Sequence, residues 1–221
     1  SNEYIWGSNR CYLLFDRIQW RPTFYVAVDT RVVPDIADDI NSLIEDLKET
    51  LFFFPVRFRK KRIIKSANNV FWYNEYCDSK NCVTDIDKSI FSNNASKGLA
   101  SAYTVTIASI QLAVFLGFNP IYLFGCDTSY KIPSTVQFEN EDPQLLISTD
   151  DDDENHFDPR YFGKDSKWHD PHPDLMIKNY EQVKKSLDLK GIDVINSTVG
   201  GNLEVFPRVD YKLLFDPKRN Q

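Results

Sequence analysis

Polar side chains that can do chemistry stand directly after short apolar runs in this chain. Thr23 to Val28 is rich in β-branched and aromatic residues and ends at Asp29, which predicts a buried strand followed by a carboxylate. In open parallel sheets, ligands bind outside the carboxyl ends of the strands. We therefore expect a ligand site near such positions. The other polar residues at predicted strand ends are Ser8, Asn9, Asp127, Ser129, Tyr130, Asn196, Ser197 and Thr198.

Two of the candidate positions suggest a particular ligand. The amide of Asn9 can both donate to and accept from the hydroxyls of a nucleotide or sugar, although an asparagine in a turn needs no ligand. Thr104, Val105 and Thr106 lie near the start of a predicted helix, where free backbone N–H groups and short hydroxyls bind phosphate. The same threonines could instead bond back to helix carbonyls. The residues alone leave both alternatives open.

The three histidines fall in or beside one polar segment. His156, His169 and His172 carry the side chain best suited to moving protons near neutral pH, but an exposed loop histidine can equally have no role. The acidic run from Asp150 to Asp153 and the histidines contain metal-ligating residue types. These aspartates lack the alternating spacing and the glycine of a calcium loop, so we predict no metal site.

Several function classes lose their main support. The chain contains no G-x-G-x-x-G, no G-x-x-x-x-G-K-[ST] and no G-x-S-x-G, the motifs of dinucleotide binding, P-loop phosphoryl transfer and serine hydrolysis. A net charge of -6 and a pI near 5.1 disfavour a nucleic-acid partner. The basic run from Arg57 to Lys65 could contact an anionic substrate or the surface of a membrane, or be a solvated loop.

Composition favours a single cytoplasmic domain. The chain has 221 residues, 42% of them hydrophobic, which is enough to bury a core without disulfides or metals. Its first residues do not resemble a signal peptide. Ala100 to Phe118 is the most apolar stretch, but it contains hydroxyl and amide residues throughout and so predicts a buried helix rather than a membrane span. The four cysteines do not have the spacing of a disulfide-rich secreted protein, and they do not complete a zinc-binding motif. They are Cys11, Cys77, Cys82 and Cys126.

The order of predicted elements indicates an α/β fold. A helix, a short turn, an apolar strand, then glycine and an acid is the repeating unit of a doubly wound sheet. We expect residues 1–221 to form one Rossmann-like, doubly wound, mostly parallel sheet with helices on both faces. Residues 130–167 are mostly polar and predict a long lid loop, and Asn74 to Asn94 predicts irregular structure. Helices are predicted from Pro34 to about Lys48, from about Ala100 to Leu116 and from Asp174 to about Lys190, and strands over Tyr4–Gly7, Thr23–Val28, Leu51–Phe54, Val70–Tyr73, Ile121–Phe124 and Ile192–Asn196.

Three segments carry a family resemblance. Gly7-Ser8-Asn9-Arg10, Tyr103 to Asp127 and His156 to Asp210 resemble the 6-hydroxymethylpterin diphosphokinase MptE-like family. The end of the third segment, from Asn196 to Val209, is similar to members found with surface-polysaccharide genes, which implies a role in lipopolysaccharide biosynthesis. More distantly, the order of motifs is similar to the metal-independent bacterial sialyltransferases. Members of the MptE-like family begin with a strand and a Gly-Asn-Gly-Pro-Ser loop, which we expect to be missing before Tyr4.

The sialyltransferase resemblance implies a role for each matching residue. Asn9 would hold the nucleotide donor beside Ser8, and Asp127 would lie at the same site. The helix start would line that site through Thr104 and Thr106, Tyr130 would assist the leaving phosphate, and His156 would deprotonate the acceptor hydroxyl. The chain differs from the transferase motifs in lacking their Ser-Gly after Thr104 and in a tyrosine shifted by one residue.

Three functions follow from these observations. The first is a glycosyltransferase that uses a CMP-sugar-like donor and a glycan acceptor, needs no cofactor, and contacts the membrane at most peripherally. The second is pyrophosphoryl transfer from ATP to 6-hydroxymethylpterin, which would need magnesium held by carboxylates such as Asp29 and Asp127. The third is a non-catalytic nucleotide-binding domain.

Overall fold

A computed structural model describes residues 3–76, 91–92, 94–139 and 142–215. By their contacts, the residues form two compact units. The first unit comprises Ser1–Glu75 and Lys131–Pro171, and the second comprises Tyr76–Tyr130 and His172–Gln221. Most of the segment predicted to be irregular, together with Cys77 and Cys82, lies outside the described residues. The expectation of one domain stays a prediction.

The described residues contain parallel strands, helices and a small antiparallel sheet. The strands are β1 (Trp6–Ser8), β2 (Phe24–Val26), β3 (Leu51–Pro55), β4 (Val70–Tyr73), β5 (Ile121–Leu123), β6 (Gln137–Glu139), β7 (Asp142–Ile147), β8 (Lys167–His169) and β9 (Val194–Asn196). The helices are α1 (Val32–Asp35), α2 (Ala37–Asp46), α3 (Val56–Lys60), α4 (Val105–Phe115), α5 (Pro173–Asp188) and α6 (Tyr211–Leu214), and a 3₁₀ helix spans Asn9–Leu14.

The first unit is built on a four-stranded parallel sheet. Its strand order, β1-β2-β3-β4, follows the chain, and every pair is parallel. Parallel neighbours need crossover connections, and α1 and α2 lie between β2 and β3. Alternate residues of the strands bury one face against these helices, with Tyr25, Phe52 and Phe54 packing around Ile40 and Ile44. The α/β class and the mostly parallel sheet are confirmed.

The prediction of a long loop over residues 130–167 is wrong in part. This segment contributes β6 and β7, which form an antiparallel sheet with β8. Leu145 and Leu146 are completely buried, and Leu146 pairs with Trp168 and joins the core of the first unit. Two buried leucines anchor this short strand. They were missed because the segment around them is mostly polar and acidic, which is typical of a loop. That the rest of residues 130–167 forms a lid stays a prediction.

The second unit pairs two strands with two longer helices. β5 lies parallel to β9, from Ile121 opposite Val194 to Leu123 opposite Asn196. α4 contributes the buried residues Ile107 and Ile110 to the core of this unit. None of the described helices combines the length and the apolar character needed to cross a bilayer.

The predicted start of α5 needs a correction. The residue that precedes the helix is His172, in a left-handed conformation with φ 44°, whereas Asp174 lies inside the first turn. Pro173 occupies the first helical position, where its missing N–H costs nothing. An acid in the first turn is favourable beside the helix dipole, so Asp174 stabilises the start of the helix without capping it.

Gly7 allows β1 to pack tightly against the turn that follows it. A Cβ at this position would lie 2.8 Å from Cys11 Sγ and 3.1 Å from Pro22 Cβ. We expect Gly7→Ala to lower the free energy of unfolding by about 1–3 kcal/mol, because these neighbours would have to shift. Urea denaturation measures the loss. In a Cys11→Ala background the added cost should be smaller, and an equal cost in both backgrounds would contradict the assignment to the sulfur atom.

Candidate functional site

Buried polar atoms without hydrogen-bond partners lie near the carboxyl ends of the parallel strands. Among the described residues they are Asn9 Oδ1, Arg10 Nε, Arg57 Nε, the Tyr73 hydroxyl, Ser197 Oγ and Arg208 Nε. In the first unit, Asn9 and Arg10 follow β1, Arg57 lies just after β3, and Tyr73 is the last residue of β4. In the second unit, Ser197 follows β9, and Arg208 forms a β-bridge with Asn196, the last residue of β9. Since buried polar groups are nearly always bonded, the carboxyl ends of the parallel strands are where water or a ligand would complete the structure.

Ser8 and Asn9 lie at the carboxyl end of β1, where the sequence predicted them. Asn9 adopts a left-handed conformation with φ 47°, which asparagine tolerates better than most residues. Its backbone carbonyl accepts a hydrogen bond of 2.6 Å from the hydroxyl of Tyr25, a completely buried residue of β2. This hydrogen bond anchors the turn after β1 to the neighbouring strand β2. The role of these two residues in binding a donor stays a prediction.

His156 is held by a buried carboxylate. Its Nδ1 lies 2.7 Å from Asp153 Oδ2, and the Asp153 side chain is only 3% exposed. Tyr161 covers one face of the imidazole, with ring centroids 3.7 Å apart. Burial alone raises the pKa of Asp153, but the hydrogen bond and charge of His156, with backbone N–H donors, outweigh it and lower that pKa. With Asp153 ionised, Nδ1 carries the proton, so Nε2 is the nitrogen that can accept one.

A second histidine–carboxylate pair was not predicted from the sequence. Nδ1 of His169 lies 2.9 Å from Asp29 Oδ2. The other carboxylate oxygen of Asp29 accepts backbone hydrogen bonds from Arg31 at 2.6 Å and Val32 at 2.9 Å, at the start of α1. Burial raises the pKa of Asp29, but the bond and charge of His169 and these N–H groups outweigh it and lower that pKa. Asp29 at a strand end was the available sequence signal, but 140 residues separate it from His169.

The predicted threonines of the second unit meet at the start of α4. Thr104 caps the helix, because its hydroxyl accepts from the backbone N–H of Thr106 at 3.3 Å. Thr106 Oγ1 lies 3.9 Å from Cys126 Sγ, and the backbone N–H of Cys126 donates to Thr198 Oγ1 at 2.9 Å. The helix start and the carboxyl ends of β5 and β9 thus come together. Burial raises the pKa of Tyr180, while hydrogen bonds with Thr106 and Thr104 act in the opposite direction.

Asp127 is fixed by a turn packed against its backbone. The backbone N–H of Asn202 donates to the Asp127 carbonyl at 2.6 Å, and a Cβ on Gly201 would lie 2.6 Å from Asp127 Cα. Arg208 holds this turn by donating to the carbonyls of Thr198 and Gly200 at 3.0 and 2.9 Å. Only glycine allows this close approach.

The predicted site residues divide between the two units. Ser8, Asn9 and His156 belong to the first unit. The second unit holds Thr104, Thr106, Asp127 and Tyr130, and Tyr130 is half-buried against the core of that unit. His172 is edge-on to Tyr103, with ring centroids 6.0 Å apart. In the described part of the chain, no group of three or more His, Cys, Asp or Glu residues is arranged to hold a metal ion.

Comparison with known proteins gives one distant structural likeness. No family model matches the chain, and no curated protein matches it. A solved structure of the MAf glycosyltransferase from Magnetospirillum magneticum AMB-1 aligns with 95% of this chain at 16% sequence identity and a TM-score of 0.49. The chain spans about 30% of the length of that protein. The resemblance to the MptE-like family accordingly stays a prediction.

We expect His156→Ala to raise the pKa of Asp153, because the substitution removes the main group that favours its charged form. Asp153 has a folded-state pKa below the ordinary value of 3.8, so its contribution to stability is present above that value and is lost as the pH falls through the folded-state pKa. Because the variant largely lacks this contribution, its stability should fall less than that of wild type between pH 7 and pH 3, and its deficit relative to wild type should shrink as the pH falls. Urea denaturation from about pH 3 to pH 7 measures this, and an unchanged profile relative to wild type would contradict the assignment.

Proposed function

We propose that this chain is a nucleotide-dependent transferase that moves a sugar from a CMP-sugar-like donor to a glycan acceptor. The observation that carries the proposal is the pair formed by His156 and the buried, ionised Asp153. A carboxylate that fixes the imidazole and stabilises its protonated form is the arrangement of a general base. Nε2 of His156 would take the proton of the acceptor hydroxyl. The hydroxyl oxygen would bond to the anomeric carbon, and the bond from that carbon to the donor phosphate would break.

The leaving phosphate is assigned to the second unit. The start of α4 has backbone N–H groups and the hydroxyls of Thr104 and Thr106, which would exchange their present bonds with Tyr180 for bonds to the phosphate. A helix of this length favours negative charge at its N-terminus. Ser197 Oγ, buried and without a partner at the end of β9, is a further candidate donor. Donors of this kind stabilise developing charge without a metal ion. Tyr130, in the same unit, would assist the phosphate. Asn9 and Ser8 are proposed donor-binding residues of the first unit.

His169 is a second candidate for the base. Its carboxylate partner is anchored by two backbone N–H groups, and its own side chain is 37% exposed, against 20% for His156. A more exposed imidazole reaches a substrate more easily.

The alternative of pyrophosphoryl transfer would need Asp29 as a magnesium ligand. The oxygens of Asp29 are already engaged with α1 and His169, which does not favour this role.

Nucleotide binding provides the first test of the proposal. We expect CMP or another sugar-carrier nucleotide to raise the melting temperature without magnesium, because selective binding stabilises the folded state. Thr104→Val and Thr106→Val should weaken this binding about 10- to 100-fold, the effect of losing a hydrogen bond to a charged group. Ser109→Ala, on the same helix with its hydroxyl bonded to the Val105 carbonyl, is the matched control. Stabilisation by ATP only with magnesium would favour the diphosphokinase, and no response to any nucleotide would overturn the proposal.

Turnover of the donor tests the base. We expect His156→Ala to lower the rate of nucleotide release from a CMP-sugar about 10²- to 10⁴-fold while donor affinity stays unchanged. His169→Ala and His172→Ala are the matched variants and should have small effects. If His169→Ala abolishes turnover and His156→Ala does not, the base is His169. If the protein binds the donor but none of the three variants alters its turnover, no histidine acts as the base and the non-catalytic function gains support.

A further inference from the structure

Two buried donors without partners lie together at the ends of β3 and β4. The hydroxyl of Tyr73, the last residue of β4, has no hydrogen-bond partner among the described residues, and neither has Arg57 Nε. Pro55 of β3 pairs with Tyr73 across the sheet, and Arg57 follows Pro55 by two residues, so the two side chains start from neighbouring positions. The positive charge of Arg57 accordingly lowers the pKa of Tyr73, against the larger effect of burial. Neither group belongs to the predicted donor site.

The other atoms of Arg57 are already engaged. Its guanidinium forms an ion pair with Glu75 and donates to the carbonyl of Val28, just beyond β2. The charge of Asp29 also acts on Arg57. The positive charge is therefore balanced by carboxylates, and a strongly anionic ligand such as a diphosphate would meet repulsion. Two unbonded donors beside a neutralised charge instead fit a neutral oxygen acceptor.

The surroundings suit a ligand with several hydroxyl groups. The side chain of Arg57 is 32% exposed, whereas its Nε and the Tyr73 hydroxyl are covered, so a ligand reaches these two donors only when neighbouring side chains move aside. Glu75 supplies an acceptor for a ligand hydroxyl. Phe71 lies two residues before Tyr73, hence on the same face of β4, and is 44% exposed. An exposed aromatic ring offers an apolar surface to the carbon face of a sugar ring.

We propose that Arg57, Tyr73 and Glu75 form a binding site for a neutral sugar at the carboxyl ends of β3 and β4. This inference rests on the proposed function, for which the sugar would be part of the acceptor glycan. A hydroxyl oxygen of the sugar accepts from Arg57 Nε and the Tyr73 hydroxyl, and a neighbouring sugar hydroxyl donates to Glu75.

Tyr73→Phe separates a ligand site from a structural role. Removing a buried hydroxyl that has no partner leaves the sheet intact and relieves an unmet desolvation cost, so the melting temperature should not fall. Loss of one hydrogen bond to the ligand should weaken sugar binding by about two- to tenfold. Tyr122→Phe, the same chemical change at an exposed position of β5, is the matched control and should change neither quantity.

The measurement is an NMR titration of the full chain, without nucleotide, against galactose, N-acetylglucosamine, glucuronate and inorganic phosphate. Saturable binding of a neutral sugar that is weakened by Tyr73→Phe and untouched by Tyr122→Phe supports the proposal. It is overturned if no neutral sugar binds, if only glucuronate or phosphate binds, or if Tyr73→Phe leaves sugar affinity unchanged. Because nucleotide is absent, failure here is distinct from failure of nucleotide binding, which would overturn the transferase itself.

Discussion

Parallel pairing of β1 to β4 is the constraint on which the first unit depends. It places the carboxyl ends of all four strands at one edge, and each chain segment leaving that edge must satisfy its own polar groups. Asp29 does so by accepting from the first backbone N–H groups of α1, and Tyr25 does so by bonding the carbonyl of Asn9. The same edge retains Asn9 Oδ1, Arg57 Nε and the Tyr73 hydroxyl without partners.

The two histidine–carboxylate pairs differ in how they are anchored. Asp153 is held in an acidic loop, with backbone N–H groups of Asn155 and Phe162 directed at its oxygens. Asp29 is held by the regular geometry of a strand followed by a helix. In both pairs the carboxylate stays ionised because hydrogen bonds outweigh the cost of burial. The first pair is covered by the ring of Tyr161, whereas the imidazole of the second is more exposed to solvent.

In the second unit, a close backbone approach and hydrogen bonds to the backbone fix the candidate residues. The turn at Gly201 approaches the backbone of Asp127 so closely that no side chain fits between them. Arg208 satisfies several carbonyls of that turn at once, which no neutral side chain could do. Thr104 is positioned by its capping bond, and Thr198 by the backbone N–H of Cys126. A hydroxyl-lined helix start therefore results from local backbone requirements that hold without any ligand.

The sequence by itself determined the class of fold, most of the parallel strands, and the placement of polar residues at strand ends, because these depend on local periodicity and on apolar runs. Asn9, Asp29 and Thr104 were identifiable in this way. Tertiary structure alone decided that His169 meets Asp29, that Arg57 and Tyr73 share an environment, and that Leu145 and Leu146 anchor an antiparallel strand within a polar segment. The physical reason is distance along the chain: local patterns describe what a segment prefers, whereas a pairing between residues 140 positions apart depends on how the whole unit packs.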